Sequence, residues 1–147
     1  LVRQHEIWKT KEMRAHELVD QEPLYHASLR VFEPEIMSQG LRPGGDTRLF
    51  AWSEPRYVYL TPDANMARSF VDPSVVEPDP EHEEAVLRMM EQGGVLFTID
   101  RRQLDPKRLH ADPHWSVDQD LGSSSYVYQG IIPPRAITGR RYFEIAS

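Results

Sequence analysis

Four segments place residue types where ligand chemistry needs them. His26 stands in Leu24-Tyr25-His26-Ala27-Ser28. An imidazole at a strand end can donate to a ribose hydroxyl, and the small residues after it let backbone approach a ligand closely. Taken alone, His26 reads more simply as a polar strand terminus. Tyr57-Val58-Tyr59-Leu60 puts both phenols on one face of a strand by its period of two. Phe70 lies eleven residues after Tyr59, at the end of the next helix. A strand–turn–helix return carries its ring back toward that strand. Both features also suit an ordinary core. Asp118 and Asp120 lie near each other before the strand Tyr126-Val127-Tyr128. Paired carboxylates can do acid/base work; turn residues are the simpler reading.

Other polar residues argue for less. His110, Asp112 and His114 resemble a loose metal set, but their spacing matches no zinc rule. They read as a polar loop, and no metal is expected. His82 reads as the solvated face of an acidic helix. Arg101-Arg102 and Arg140-Arg141 are too small to forecast a nucleic-acid site.

These residues need elements to position them. Residues 1–19 read as an amphipathic helix on Ile7, Met13 and Leu18 with Trp8, within an N-terminal segment of residues 1–22. Short strands are expected at 24–27, 49–52, 57–60, 95–99, 126–132 and 141–145. Helices are expected at 34–39, 64–71 and 81–92. Pro34 suits a first helical turn and Gly40 a stop. Thr61-Pro62-Asp63 caps the second helix, and Gly93-Gly94 ends the third. Residues 101–124 read as loop. Many short strands without a βαβ rhythm predict an α+β fold with a mostly antiparallel sheet.

Composition bounds the rest. A chain of 147 residues, 39% hydrophobic, suffices for one domain over 1–147 with its core in 24–145. No apolar run approaches the about 20 residues of a membrane span. No basic stretch precedes an apolar one as in a secretory leader; a cytoplasmic location, or delivery into a cytoplasm if the chain is a toxin domain, and no membrane partner are expected. The absence of cysteine removes disulfides, thiol nucleophiles and thiolate metal sites. A net charge of −6 argues against a general nucleic-acid coat. No GxGxxG, GxxxxGK[ST] or HExxH occurs, so Rossmann, P-loop and zincin sites are unsupported.

Taken in order, the segments carry a resemblance. Tyr25-His26-Ala27-Ser28, Ile36 through Gly40-Leu41, Val58-Tyr59-Leu60-Thr61 with Ala67 and Phe70, Ser125-Tyr126-Val127-Tyr128 and Ile132-Pro133-Pro134 resemble the ADP-ribosyltransferase superfamily. The likeness is to its diphtheria-toxin-like branch, with poly(ADP-ribose) polymerases, rifampicin ADP-ribosyltransferases and DNA-modifying toxins. It covers roughly residues 24–137. It implies an ADP-ribosyltransferase-like split antiparallel β core with surrounding helices. It also implies NAD as co-substrate and transfer of ADP-ribose to an acceptor: a protein, a nucleic acid or a small molecule. By the same resemblance, His26 matches the histidine on the adenosine-side ribose. The backbone of Ala27 matches the carboxamide holder, with Ser28 beside it. Tyr59 and Phe70 match the two rings that sandwich nicotinamide, and Ala67 a small position beside its carboxamide.

The third signature position departs from that pattern. Polymerase-like members carry glutamate where this chain has Ser125, and serine supplies neither negative charge nor a base. Three readings follow. An aspartate substitutes, Asp120 first, then Asp118 or Asp112. The chemistry dispenses with the acid, as in RNA 2′-phosphotransferases, which Arg56-Tyr57-Val58-Tyr59-Leu60 distantly resembles with tyrosines in place of histidines. Or the chain is a non-catalytic NAD- or ADP-ribose-binding module. The expected catalytic set is His26, Tyr59, Ser125 and Asp120.

Overall fold

The computed structural model describes residues 22–45, 56–73, 78–111 and 125–145. The expected N-terminal helix, the expected strand at 49–52 and Asp112, His114, Asp118 and Asp120 lie outside them.

Among the described residues the order is β1 (Leu24–Leu29), α1 (Glu33–Gln39), β2 (Val58–Leu60), α2 (Ala64–Ser69), α3 (Glu83–Met90), β3 (Gly94–Ile99), β4 (Leu109–Ala111), β5 (Tyr126–Tyr128) and β6 (Ile137–Phe143). Short 3₁₀ turns cover Arg30–Phe32, Arg101–Gln103 and Pro134–Ala136. The strands form two three-stranded sheets, ordered β1-β3-β6 and β2-β5-β4. Every strand pairing is antiparallel. The fold is therefore α+β.

The two sheets touch along a short seam. Tyr25 and Thr61 form an isolated antiparallel bridge, with N···O distances of 2.7 and 3.1 Å. Beyond it β1 turns to β3 and β2 to β5, so the strands part after one pair. A second isolated bridge ties Leu41 to Ile132. It explains Gly40: φ is +86°, and an added Cβ would overlap the Ile132 carbonyl oxygen.

Two apolar clusters hold the elements. The first takes Leu24, Val58, Leu60, Val95, Phe97, Ile99 and Tyr128 from both sheets, with Ile36 from α1 and Ile132 from the segment after β5. The second packs helices on the first sheet, joining Ala27, Leu29 and Leu96 to Ala67, Val71, Val86 and Met90. Alternation assigns the faces: Leu24 of β1 enters the first cluster, while Ala27 and Leu29 enter the second.

Several boundaries differ from expectation. Leu109–Ala111 is a strand where a loop was expected, because its backbone pairs with Tyr126–Tyr128. Its burial is slight, so the apolar pattern that marks a strand is missing. The expected strand at 126–132 stops at Tyr128, and Gly130 takes φ +151°. The last strand spans Ile137–Phe143, not 141–145, since its register is set by β3.

Candidate functional site

The candidate site lies where the sheets part. His26 is not the strand terminus that was expected: β1 runs on to Leu29 because Ala27, Ser28 and Leu29 continue the pairing with β3, so His26 lies within the strand, opposite Phe97, and is 3% exposed. Its Nδ1 lies 2.7 Å from the Tyr59 carbonyl oxygen. A carbonyl only accepts, so Nδ1 carries the proton. In the neutral ring Nε2 is then the acceptor nitrogen, and it would receive a hydroxyl's proton rather than donate one.

Tyr59 stands on β2 between Val58 and Leu60, whose side chains enter the first cluster. Its own ring therefore faces the other side of the sheet, directly paired with Val127. Tyr59 and Phe70 are both buried, yet neither belongs to a cluster of described residues. Tyr57 meets Tyr59 edge-on, with centroids 6.5 Å apart and rings at 82°. The Arg56 guanidinium lies 5.1 Å from the Tyr57 ring centroid. The chain Arg56–Tyr57–Tyr59 orients the ring expected beneath nicotinamide.

Ser125 immediately precedes β5 and is buried. Extending the β2–β5 register by one residue sets it opposite Thr61, itself bridged to Tyr25. Segments around residues 25, 61 and 125 thus meet at one level of the seam. Thr61 is held by its own contacts: Oγ1 accepts from the Asp63 backbone at 3.2 Å and donates to Met66 Sδ at 3.6 Å.

α2 follows because Asp63 caps it, accepting from the Asn65 and Met66 backbone amides at 2.9 and 3.2 Å. Phe70 is its C-terminal cap residue and is buried. Ala67 and Ala27 sit in the second cluster, so packing of α2 on β1 accounts for their small size. Ser28 lies two residues along β1 from His26, 2% exposed, and its Oγ has no hydrogen-bond partner. A buried hydroxyl in that state is unusual and suits a group that a ligand would satisfy.

The structure therefore joins His26 to Tyr59 and brings the Tyr25, Thr61 and Ser125 segments together. Asp120, Asp118 and Asp112 lie outside the described residues. His110 is exposed on β4, and no group of three or more metal-ligating side chains occurs among the described residues. No described helix is long and apolar enough to cross a membrane. Three cavities are lined by described residues, and none of the three is lined by His26, Tyr59, Phe70 or Ser125.

Sequence reasoning missed the seam itself, because a single bridge between Tyr25 and Thr61 leaves no periodic signal.

No known protein-family model matches the chain, and no curated protein sequence matches it.

Proposed function

We propose that the chain is an NAD-dependent mono-ADP-ribosyltransferase with a split β core of the ADP-ribosyltransferase type. The observation that carries this reading is the seam. There His26 of β1 is bonded to the backbone of Tyr59, at the point where two antiparallel sheets diverge. In this reading NAD lies across the seam. His26 holds the adenosine-side ribose through Nε2. Tyr59 and Phe70 flank the nicotinamide, whose cationic ring is attracted to aromatic faces.

The glycosidic C–N bond then breaks and its electron pair passes to the nicotinamide nitrogen. The ribose carbon gains oxocarbenium character. An acceptor nucleophile bonds to that carbon and releases its proton to a base or to water. An anion near the ribose lowers this barrier more than a neutral hydroxyl does. Ser125 is neutral, so the reading assigns the charge to Asp120, with Asp118 and Asp112 as successors. The co-substrate is NAD, with no metal, and the setting is cytoplasmic.

Incubation of the protein with NAD, following nicotinamide release and acceptor mass by mass spectrometry, tests the proposal. The expected result is turnover that Asp120→Asn lowers. A protein that neither binds nor hydrolyses NAD overturns it.

The buried Ser125 favours one second reading: a binding module of the same fold that has lost its acid. On that reading the parent binds NAD without hydrolysis, and Ser125→Glu raises hydrolysis from baseline.

A further inference from the structure

We infer that His110 is the general base that takes the proton of the incoming acceptor, and that the acceptor reacts through a neutral O–H or N–H group rather than a carboxylate. This role deepens the transferase reading and rests on it.

The register of the second sheet brings the residues together. Tyr59 of β2 is directly opposite Val127 of β5, and Val127 is directly opposite His110 of β4. Residues directly opposite one another in antiparallel strands share a face. Tyr59, Val127 and His110 therefore form one row across three strands. Val58, Leu60 and Tyr128, one position along, turn to the other face and enter the first cluster. Neighbouring strands lie about 4.8 Å apart, which places the His110 Cα about 10 Å from that of Tyr59. Ser125 stands two residues before Val127, so it is the diagonal neighbour of His110 on this face, about 7–8 Å away. The imidazole thus stands beside the ring and the hydroxyl that the transferase reading sets around the nicotinamide end of NAD.

Access and chemistry agree. Val127 is buried, whereas His110 is exposed on an edge strand. β4 lies across β5 from β2, on the side away from the bridge to β1, so an acceptor can approach it without crossing the seam. No hydrogen bond or ion pair holds the His110 ring among the described residues, so the neutral imidazole keeps a free lone pair. Arg108 shares its face by the period of two, and that guanidinium is engaged with Asp105 at 3.6 Å and the Gln129 carbonyl at 3.0 Å. From β5, Tyr126 and Tyr128 turn to the opposite face; Tyr57 and Tyr59 lie beyond Val127. Asp112, the next residue of this parity along the chain, lies outside the described residues. Among the described residues of this face, His110 alone carries a basic lone pair.

In the step, a lone pair on the acceptor atom bonds to the ribose carbon as the C–N pair leaves with nicotinamide. The acceptor O–H or N–H bond breaks, and its proton passes to the neutral His110 nitrogen. The imidazolium then gives that proton to water. A carboxylate acceptor has no proton to lose and gains nothing from this base.

The full chain with NAD tests the assignment, with water and methanol as acceptors, read by nicotinamide release and product mass. His110→Ala should lower hydrolysis and methanolysis about 100-fold or more. NAD affinity by calorimetry should stay at the parental value. The parental rate should rise with pH along an ionisation that the variant lacks, because the base acts in its neutral form. Azide, a nucleophile with no proton to lose, should restore turnover in the variant and give azido-ADP-ribose. Parental hydrolysis in His110→Ala, an unchanged pH profile, or azide without effect overturns the role. A fall in NAD affinity that matches the fall in rate also overturns it, by assigning His110 to packing. A parent that releases no nicotinamide from NAD overturns the transferase reading and the base with it. Parental NAD turnover in His110→Ala overturns the base alone, so the two failures are distinguishable.

Discussion

At the scale of residues, the contact between His26 Nδ1 and the Tyr59 carbonyl links two strands otherwise joined by one bridge. Replacing His26 with alanine leaves a buried carbonyl without its donor. The expected loss is about 1–3 kcal/mol of stability, measured by urea unfolding. On the proposed reading, weaker NAD binding should accompany it. The aromatic roles are tested separately. Tyr59→Ala and Phe70→Ala should each weaken NAD by roughly ten-fold or more, since a ring stack is worth about 1–3 kcal/mol. Unchanged titration calorimetry in folded variants would rule out stacking. One carboxylate has a defined acid response. Asp100 accepts from the Arg102 side chain and backbone, which holds its carboxyl below the ordinary value. A depressed pKa adds stability above the unfolded-state value, lost as pH falls through the folded one. NMR titration of Asp100→Asn against wild type should place that change on the acid side of 3.8.

At the scale of elements, one strand glycine and one helix cap set local packing. Gly94 lies under the Phe143 ring, which a Cβ would strike. In an antiparallel pair this covers the bare backbone of a strand glycine. Gly94→Ala should lower the melting temperature and displace Phe143, seen as altered aromatic NMR shifts. Asp63→Ala removes the N-cap of α2 and should cost about 1 kcal/mol in unfolding measurements. Its second effect is functional on the proposed reading: fraying the helix that ends at Phe70 should weaken NAD more than Asp63→Asn does. Equal NAD affinity in the two variants would uncouple α2 from the site.

At the scale of the whole molecule, β3 is the central strand of the first sheet, with five of its six residues buried. Its side chains enter both clusters: Val95, Phe97 and Ile99 in one, Leu96 in the other. Its amides should therefore exchange most slowly, with edge strands β4 and β6 faster, as hydrogen-exchange mass spectrometry would read. Phe97→Ala removes a fully buried ring and should cost about 3–5 kcal/mol. Exchange in β3 as fast as in β4 would deny it the central role.

Local chemistry determined the elements that carry strong signals. Pro34 and Gly40 bounded α1, Asp63 capped α2, and the run from Val95 to Ile99 announced β3, because each acts through its own backbone or nearest neighbours. His26, Tyr59, Phe70 and Ser125 were legible as candidates by type and order alone. Tertiary structure decided the rest. Leu109–Ala111 became a strand because β5 supplied hydrogen bonds, which residues so exposed do not advertise. Which ring nitrogen of His26 holds the proton depends on a carbonyl 33 residues away. The smallness of Ala27 and Ala67 reads locally as room for a ligand, but here it also serves helix-to-sheet packing. Pairing, protonation and burial across long sequence separations are set by which surfaces close on one another, and no local pattern encodes that closure.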